Sequence, residues 1–153
     1  MTYEAKRVAL LVEGISEVSR LIIDTLTKHD IACKVMLTNE GLEALDYLLG
    51  RGAYASRDLR VMPGVTLLDL ALPGLDDLDG LGLLREMRAH ERTKLLPIVA
   101  FSSAQEHHQQ AEAAYVSGAN SYIGIRPGFE PFDESIRRVA KYWCVVNDPP
   151  PPL

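Results

Sequence analysis

Short apolar runs alternate with longer amphipathic stretches along most of the chain. The run VALLV at residues 8–12, followed by an acidic residue and a glycine, is typical of a strand buried on both faces. After it, apolar residues recur at three- and four-residue steps, which is the period of a helix with one buried face. Ser16 is a plausible N-cap for this helix. The pattern therefore predicts a strand followed by a helix, and the same unit then repeats.

The repeated pattern predicts five strands and five helices. The predicted strands are Val8–Val12, Ala32–Leu37, Val65–Leu70, Leu96–Phe101 and Ser121–Ile125. The predicted helices begin at Ser16, Glu40, Leu81, Gln105 and Pro131, and the last four end at Leu49, His90, Val116 and about Val145. Because parallel strands need crossover connections, this alternation predicts an α/β fold with a doubly wound, five-stranded parallel sheet. The flavodoxin-like strand order 2-1-3-4-5 is expected.

Composition and chain length limit the architecture and the class of partner. We expect one domain over residues 1–147 and an extended, proline-rich tail over 148–153, because NDPPPPL cannot continue a helix. The net charge of −5 and the scattered basic residues argue against nucleic acid as a partner. No apolar run approaches the ~20 residues that span a bilayer, and the start lacks a signal-peptide pattern. A cytoplasmic protein without a membrane partner is expected.

The two cysteines, Cys33 and Cys144, lie far apart with no paired spacing. We interpret them as buried thiols in a reducing compartment, with little support for a disulfide or a zinc site.

The residues that end the predicted strands suggest chemistry. Ligands of open α/β sheets bind beyond the carboxyl ends of the strands. These ends carry Glu13, Asp69 and Ser102, and Arg126 follows the fifth strand. Two carboxylates, a hydroxyl and a cation in one place are what phosphoryl transfer to an aspartate needs.

The stretches LLVE, LLDLALPG, IVAFSS and GANSYI, in this order, resemble the strand ends of response-regulator receiver domains, the CheY-like proteins of two-component signalling. The segment ALDYLLGRGAYASR and the YW near the end are similar to single-domain receivers paired with phytochrome-type histidine kinases. The resemblance implies that Asp69 is the phosphoacceptor and that Mg²⁺ is held by Glu13, Asp69 and the carbonyl of Ala71. It also implies that Ser102 binds the phosphoryl group and that Tyr122 is the switch aromatic, although Tyr122 is equally compatible with an interior role.

Three departures from the receiver pattern bear on the metal and on the cation. Gly14 stands where the family usually has a second acid, which predicts weakened Mg²⁺ binding. The family's lysine corresponds to Ile125 in an ungapped alignment, or to Arg126 if one residue is inserted. The segment LPGLDDLDG is longer than usual and adds Asp76 and Asp77, either of which is a candidate substitute ligand.

Three hypotheses remain open from the sequence. The first is a receiver that accepts a phosphoryl group from a sensor histidine kinase and signals by binding a partner, without an output domain and without being an enzyme. The second is a pseudo-receiver that keeps the fold without metal-dependent switching. The third is a flavin-binding electron carrier, which is weakened by the absence of a phosphate loop after the first strand.

Two aromatic or imidazole pairs complete the sequence-based expectations. Tyr142 and Trp143 lie near the end of the fifth helix, which runs into an apolar, proline-stiffened tail with no obvious place in a monomeric core, so we expect the two aromatics at a homodimer interface. His107 and His108 are neighbours on a helix and point about 100° apart, with no third ligand in view. We therefore interpret them as a solvated helix start.

Overall fold

The structure is a computed structural model, and it describes residues 7–14, 17–28, 33–72, 78–103, 106–125 and 131–151. The strands are β1 Arg7–Val12, β2 Cys33–Thr38, β3 Val65–Asp69, β4 Ile98–Ser102 and β5 Ser121–Gly124. They form one parallel sheet in the order β2-β1-β3-β4-β5. The predicted fold class and strand order are therefore confirmed.

Five α-helices connect and follow the strands. They are α1 Glu17–Lys28, α2 Gly41–Leu49, α3 Gly80–Ala89, α4 His107–Val116 and α5 Phe132–Lys141. Most of their ends lie within a residue or two of the predicted ones, whereas Ser16 and Gln105 fall outside the described residues. No prediction was made for the short 3₁₀ turn at Gly52–Tyr54.

The end of α5 differs from the prediction of one helix running to about Val145. The α-helix ends at Lys141, and a single π-helical turn, Tyr142–Val146, follows it. The amide N–H of Asn147 donates to the carbonyl of Tyr142 at 2.6 Å, which closes this wider turn. Residues 148–151 of the expected extended tail form neither helix nor strand. None of the helices within the described residues is long and apolar enough to cross a bilayer.

The two faces of the sheet carry separate apolar layers because alternate strand residues point to opposite faces. Leu10 and Leu68 pack with the helices α2 and α3 on one face, and Leu11 and Leu67 pack with α1 and α5 on the other. All four leucines are fully buried. Helices on both faces explain why the strands read as continuous apolar runs.

Two arginines fasten the loops at the amino-terminal edge of the sheet, opposite the strand ends that carry Asp69 and Ser102. Arg57 donates to the carbonyls of Tyr47 and Val61, each at 2.6 Å. Arg88 donates to the carbonyls of Leu96 at 2.7 Å and Gly118 at 2.8 Å. Arg57 therefore joins α2 to the loop before β3, and Arg88 joins the loops that precede β4 and β5.

The last turn of the chain docks on the start of β1. The guanidinium of Arg7 donates to the main-chain carbonyls of Trp143 and Asn147. The Trp143 side chain packs against the α1 and α5 layer, next to Tyr142, with ring centroids 4.9 Å apart in an edge-to-face arrangement. Trp143 therefore contributes to packing within the monomer, on the same face as Ile136 and Ala140.

Candidate functional site

Three of the sequence-predicted site residues lie at the carboxyl edge of the sheet. Asp69 ends β3 and Ser102 ends β4, and Glu13 directly follows β1. The register pairs Val12 of β1 with Leu68 of β3 and pairs Asp69 with Phe101 of β4. Because β3 lies between β1 and β4, the fold brings Asp69 between Glu13 and Ser102.

Both acidic residues are withdrawn from water. Glu13 is only 3% exposed, and its N–H donates to the carbonyl of Thr38 at 3.1 Å. Asp69 is half-buried, and its Oδ1 accepts the amide N–H of Ala71 at 2.9 Å. Burial raises the pKa of the Asp69 carboxyl, and the hydrogen bond from Ala71 opposes this by lowering it. Without a cation, two adjacent buried carboxylates are unfavourable, which makes the pair a suitable ligand set for a cation.

Two glycines that the sequence reasoning missed hold the loop beyond Asp69 close to the helices. A Cβ added to Gly80 would lie 2.8 Å from the carbonyl oxygen of Asp69, and one added to Gly41 would lie 2.4 Å from that of Leu78. Asp79, which accepts the N–H of Gly82 at 2.7 Å, caps α3 at the same place. The Asp79–Gly80 pair at a helix start was the available signal for this close approach.

The hydroxyl side of the edge is formed by β4 and β5. Ser102 is buried, and its carbonyl accepts the N–H of Ile125 at 2.8 Å. Tyr122, which lies opposite Ala100 in the register, makes a 2.8 Å hydrogen bond between its hydroxyl and Nδ1 of His107. This bond ties the first turn of α4 to β5.

The interpretation of the histidine pair as a solvated helix start is wrong for His107 and agrees with the structure for His108. His107 is partly buried against Tyr122, with ring centroids 6.1 Å apart, whereas His108 is exposed. Sequence reasoning missed the contact because it depends on how α4 is rotated over β5.

The three departures from the receiver pattern have different surroundings. A Cβ added to Gly14 would have no heavy atom within 4 Å, so the position of the missing acid is open space. Ile125 instead packs against the α1 and α5 layer. Arg126, Asp76 and Asp77 lie outside the described residues.

The residues present fit a divalent cation with few protein ligands. Glu13 and Asp69 supply carboxylate oxygens at neighbouring strand ends, which hard cations such as Mg²⁺ prefer. No group of three or more His, Cys, Asp or Glu side chains suited to a metal occurs in the part of the chain that the structure describes. Mg²⁺ is commonly bound by one or two carboxylates, with water and phosphate completing its coordination shell. Glu13 and Asp69 are therefore a ligand pair of the type that Mg²⁺ uses.

Residues 9–124 match the protein family described as "Response regulator receiver domain". This chain belongs to the receiver family. It is 26% identical over 137 residues to the response regulator Rcp1 of Synechocystis sp., covering 90% of this chain and 88% of that protein. Family membership removes the basis for the flavin-carrier alternative.

Solved receiver structures agree closely with the fold. The Mn²⁺-bound form of Rcp1 is 25% identical, with a TM-score of 0.80 and coverage of 94% of this receiver and 99% of that chain. The phosphorylated cyanobacterial phytochrome response regulator RcpA is 26% identical, with a TM-score of 0.77 and coverage of 95% and 99%. This receiver is therefore homologous to phytochrome response regulators over most of its length.

Proposed function

We propose that this receiver accepts a phosphoryl group on Asp69 from a sensor histidine kinase of the phytochrome type and signals by protein–protein contact. The observation that carries the proposal is the half-buried Asp69 carboxylate at the end of β3, between Glu13 and Ser102. The homology to phytochrome response regulators supports the class of kinase, and the phosphorylated state of RcpA supports the modification. Phosphotransfer from a kinase fits the expected cytoplasmic location.

In the proposed reaction, a carboxylate oxygen of Asp69 attacks the phosphorus of a phosphohistidine. The P–N bond breaks, the histidine recovers its electron pair, and an acyl phosphate forms on Asp69. The buried Ser102 hydroxyl would hydrogen-bond a phosphoryl oxygen. Mg²⁺ bound by Glu13, Asp69 and the carbonyl of Ala71 would supply positive charge to the developing phosphoryl oxygens.

We propose that this receiver binds Mg²⁺ more weakly than receivers with two acids after β1. The structure of Rcp1 with Mn²⁺ supports a divalent cation, since Mn²⁺ and Mg²⁺ prefer the same oxygen ligands. Gly14 contributes no side chain to that site, and within the described residues no heavy atom lies within 4 Å of a Cβ added there. Fewer carboxylate ligands give a lower affinity for hard cations.

Tyr122 is proposed as the residue that transmits phosphorylation to the surface formed by α4, β5 and α5. Its bond to His107 gives the unmodified state a defined position for the Tyr122 side chain. A change at Ser102 would reach Tyr122 through the backbone pairing of β4 with β5. The output is contact with a partner protein or withdrawal of phosphate from the kinase, as in a signalling module rather than an enzyme.

The phosphoacceptor is tested with a radiolabelled small-molecule phosphodonor and Mg²⁺. Wild type is expected to incorporate label, whereas Asp69→Asn incorporates none, because an amide cannot form an acyl phosphate. Asp24→Asn, an exposed change on α1, is the matched control and should label like wild type. Labelling that survives Asp69→Asn would move the acceptor elsewhere, with Asp76 and Asp77 the next residues to replace.

The alternative function is a pseudo-receiver that binds partners without Mg²⁺-dependent phosphorylation. The observation that favours it is Gly14, together with the apolar packing of Ile125. The same labelling experiment separates the two functions. No label on wild type from either the small donor or a phosphorylated kinase would establish the pseudo-receiver.

We further propose a homodimer formed through the C-terminal turn. Tyr142 is 49% exposed and Val146 is 61% exposed, and Val145 beside them is also exposed. Large exposed apolar side chains on one turn are typical of an interface. Trp143, which was also expected there, is partly buried within its own protomer, where it packs against the α1 and α5 layer.

Sedimentation of the full chain tests the dimer. Cutting the chain after Lys141 would also remove Trp143 and Cys144 from the core, so a point change is the cleaner test. Tyr142→Glu is expected to shift a micromolar sample from dimer to monomer, while Tyr115→Glu, an equally exposed tyrosine on α4, should leave the dimer intact. A wild-type protein that sediments as a monomer would contradict the proposal.

A further inference from the structure

Cys33 and Cys144, which are far apart in the sequence, meet beneath the C-terminal turn. Cys33 is the first residue of the edge strand β2 and pairs in register with Arg7. The Arg7 guanidinium reaches across to the carbonyl of Trp143, which brings the turn that contains Cys144 to the same place. Both cysteine side chains belong to the same buried apolar cluster, packed with α1 and α5. The prediction of buried thiols is confirmed, and the structure adds that the two lie in the same buried cluster.

The surroundings of the pair make one thiol more acidic. The hydrogen bond with Cys33 lowers the pKa of Cys144, burial opposes this by raising it, and the positive charge of Arg7 lowers it further, so that the net shift is downward. The thiolate is the form that reacts with oxidants and disulfides. Both residues are nearly buried, Cys33 at 8% and Cys144 at 4% exposure, and both are reduced in this structure.

We propose that Cys33 and Cys144 form an oxidative modification site, in which a peroxide converts the two thiols into a disulfide that fastens the C-terminal turn to the edge of the sheet. In the first step Cys144 loses its proton and the thiolate attacks one oxygen of hydrogen peroxide. The O–O bond breaks, and the leaving hydroxide takes up that proton, so that a sulfenic acid and water form. In the second step the Cys33 sulfur displaces the hydroxyl of the sulfenic acid as a second water. Two thiols and one hydrogen peroxide thus give one disulfide and two waters.

The geometry favours this product over others. A disulfide requires sulfur atoms about 2 Å apart and nearby Cβ atoms, so two thiols already in contact need little rearrangement. Cys33 lies at the first residue of an edge strand rather than in the centre of the sheet. The site does not depend on Asp69 or on phosphorylation.

The test is oxidation of the reduced full-length protein with hydrogen peroxide, followed by a quench with N-ethylmaleimide and intact mass measurement. The expected product has lost about 2 Da, carries no maleimide, and gives one linked peptide pair that contains Cys33 and Cys144. Because the bond closes a long loop, we expect the melting temperature to rise by roughly 5–15 °C and to return with dithiothreitol.

Matched variants assign each step. Cys33→Ser should stop at a sulfenic acid on Cys144, visible as a gain of about 16 Da or as a dimedone adduct, and Cys144→Ser should resist oxidation under the same conditions. If a serine variant does not fold, Cys33→Ala or Cys144→Ala replaces it in the same experiment. Circular dichroism checks that each variant is folded.

Three outcomes would overturn the proposal. One is a folded, oxidant-treated protein that takes two maleimides, and another is the formation of disulfide-linked dimers alone. The third is a disulfide that forms only in urea, which would mean that the folded arrangement does not support the bond.

Discussion

The acidic half of the site, Glu13, Gly14 and Asp69 on β1 and β3, differs from the hydroxyl half, Ser102, Tyr122 and Ile125 on β4 and β5. Each half departs from the receiver pattern at a position where the resemblance leads one to expect a charged side chain. At Gly14 a Cβ would meet no heavy atom of the described residues within 4 Å. In the ungapped alignment the family's lysine corresponds to Ile125, whose side chain packs against the core, whereas with one inserted residue it corresponds to Arg126, which lies outside the described residues.

Because of this difference, we expect that restoring a charged side chain costs a different amount of stability at Gly14 than at Ile125. Among the described residues, the position next to Glu13 has room for the Cβ of an added side chain. Ile125 could be exchanged for a cation only by giving up apolar burial. We therefore expect an acid to be restored at Gly14 at a lower cost in stability than a cation at Ile125.

The largest expected effect is on stability at Ile125. Ile125→Lys should lower the free energy of unfolding by about 2 kcal/mol, because the buried part of the isoleucine is lost and the ammonium must reach water. Urea unfolding measures it. Ile125→Val, the matched control, should cost less than about 1 kcal/mol. A lysine variant as stable as wild type would mean that the position is as open as Gly14.

The next effect is on metal affinity at Gly14. Gly14→Asp should tighten Mg²⁺ binding about tenfold by adding a carboxylate beside Glu13 and Asp69. In chelator the variant should melt lower than wild type, because a third acid disfavours ionisation of its neighbours. With added Mg²⁺ it should gain more, because a tighter ligand stabilises the folded state more. Calorimetry measures the Mg²⁺ affinity. Thermal melts in chelator and in Mg²⁺ show whether the variant is the less stable protein in chelator and gains more than wild type from Mg²⁺.

Gly14→Ala is the matched control for that crossing, since it adds the same Cβ without a carboxylate. It should leave the Mg²⁺ response unchanged. If wild type already gains as much from Mg²⁺ as Gly14→Asp does, another group has replaced the missing ligand, with Asp76 and Asp77 the candidates. The proposed weakness of the metal site would then be incorrect.

A smaller effect belongs to the hydrogen bond in the hydroxyl half. Tyr122→Phe and His107→Phe should each lose about 1 kcal/mol of stability, and the double variant should lose little more than either one. The non-additive part, about 1 kcal/mol, measures the 2.8 Å bond between the two side chains. His108→Phe, on the exposed neighbour, should be close to neutral. Fully additive losses would show that the bond does not form in solution.

The smallest effect is the pH dependence contributed by Asp69. Burial raises the pKa of this carboxyl in the folded state, so the folded protein holds the proton more tightly than the unfolded chain. Stability without metal should therefore fall as the pH rises through the interval above the ordinary aspartate pKa of about 4. Asp69→Asn removes this loss and should be more stable by up to about 1 kcal/mol at pH 7, but not at pH 4.

Urea unfolding at the two pH values, without added metal, measures the difference. Wild type that is as stable as Asp69→Asn at pH 7 would contradict the unfavourable burial. The amide can still accept the N–H of Ala71, so the comparison isolates the charge.

The apolar runs were sufficient to predict the five strands, and crossover geometry to predict the order of the sheet. The strand ends then predicted that Glu13, Asp69 and Ser102 lie along one edge. These predictions succeed because buried parallel strands appear in the sequence as continuous apolar runs, and because connections between parallel strands follow a fixed handedness.

Contacts that depend on helix rotation or on close backbone approach could not be predicted in this way. The bond between His107 and Tyr122 requires the angle of α4 over β5, and the thiol pair requires the position of the last turn. The π-helical turn adds a residue where an α-helical period was expected, and within it Cys144 is buried while Val146 is exposed.

The arginines at the far edge of the sheet have a mechanical consequence. Arg57 and Arg88 hold the loops before β3, β4 and β5 through several carbonyls each. We therefore expect these loops to keep their positions when the rest of the domain changes. The proposed phosphorylation site, with Asp69 and Ser102, lies at the opposite end of the sheet. A phosphoryl group added there is expected to shift α4 and the end of β5, while the loops anchored by the two arginines stay in place.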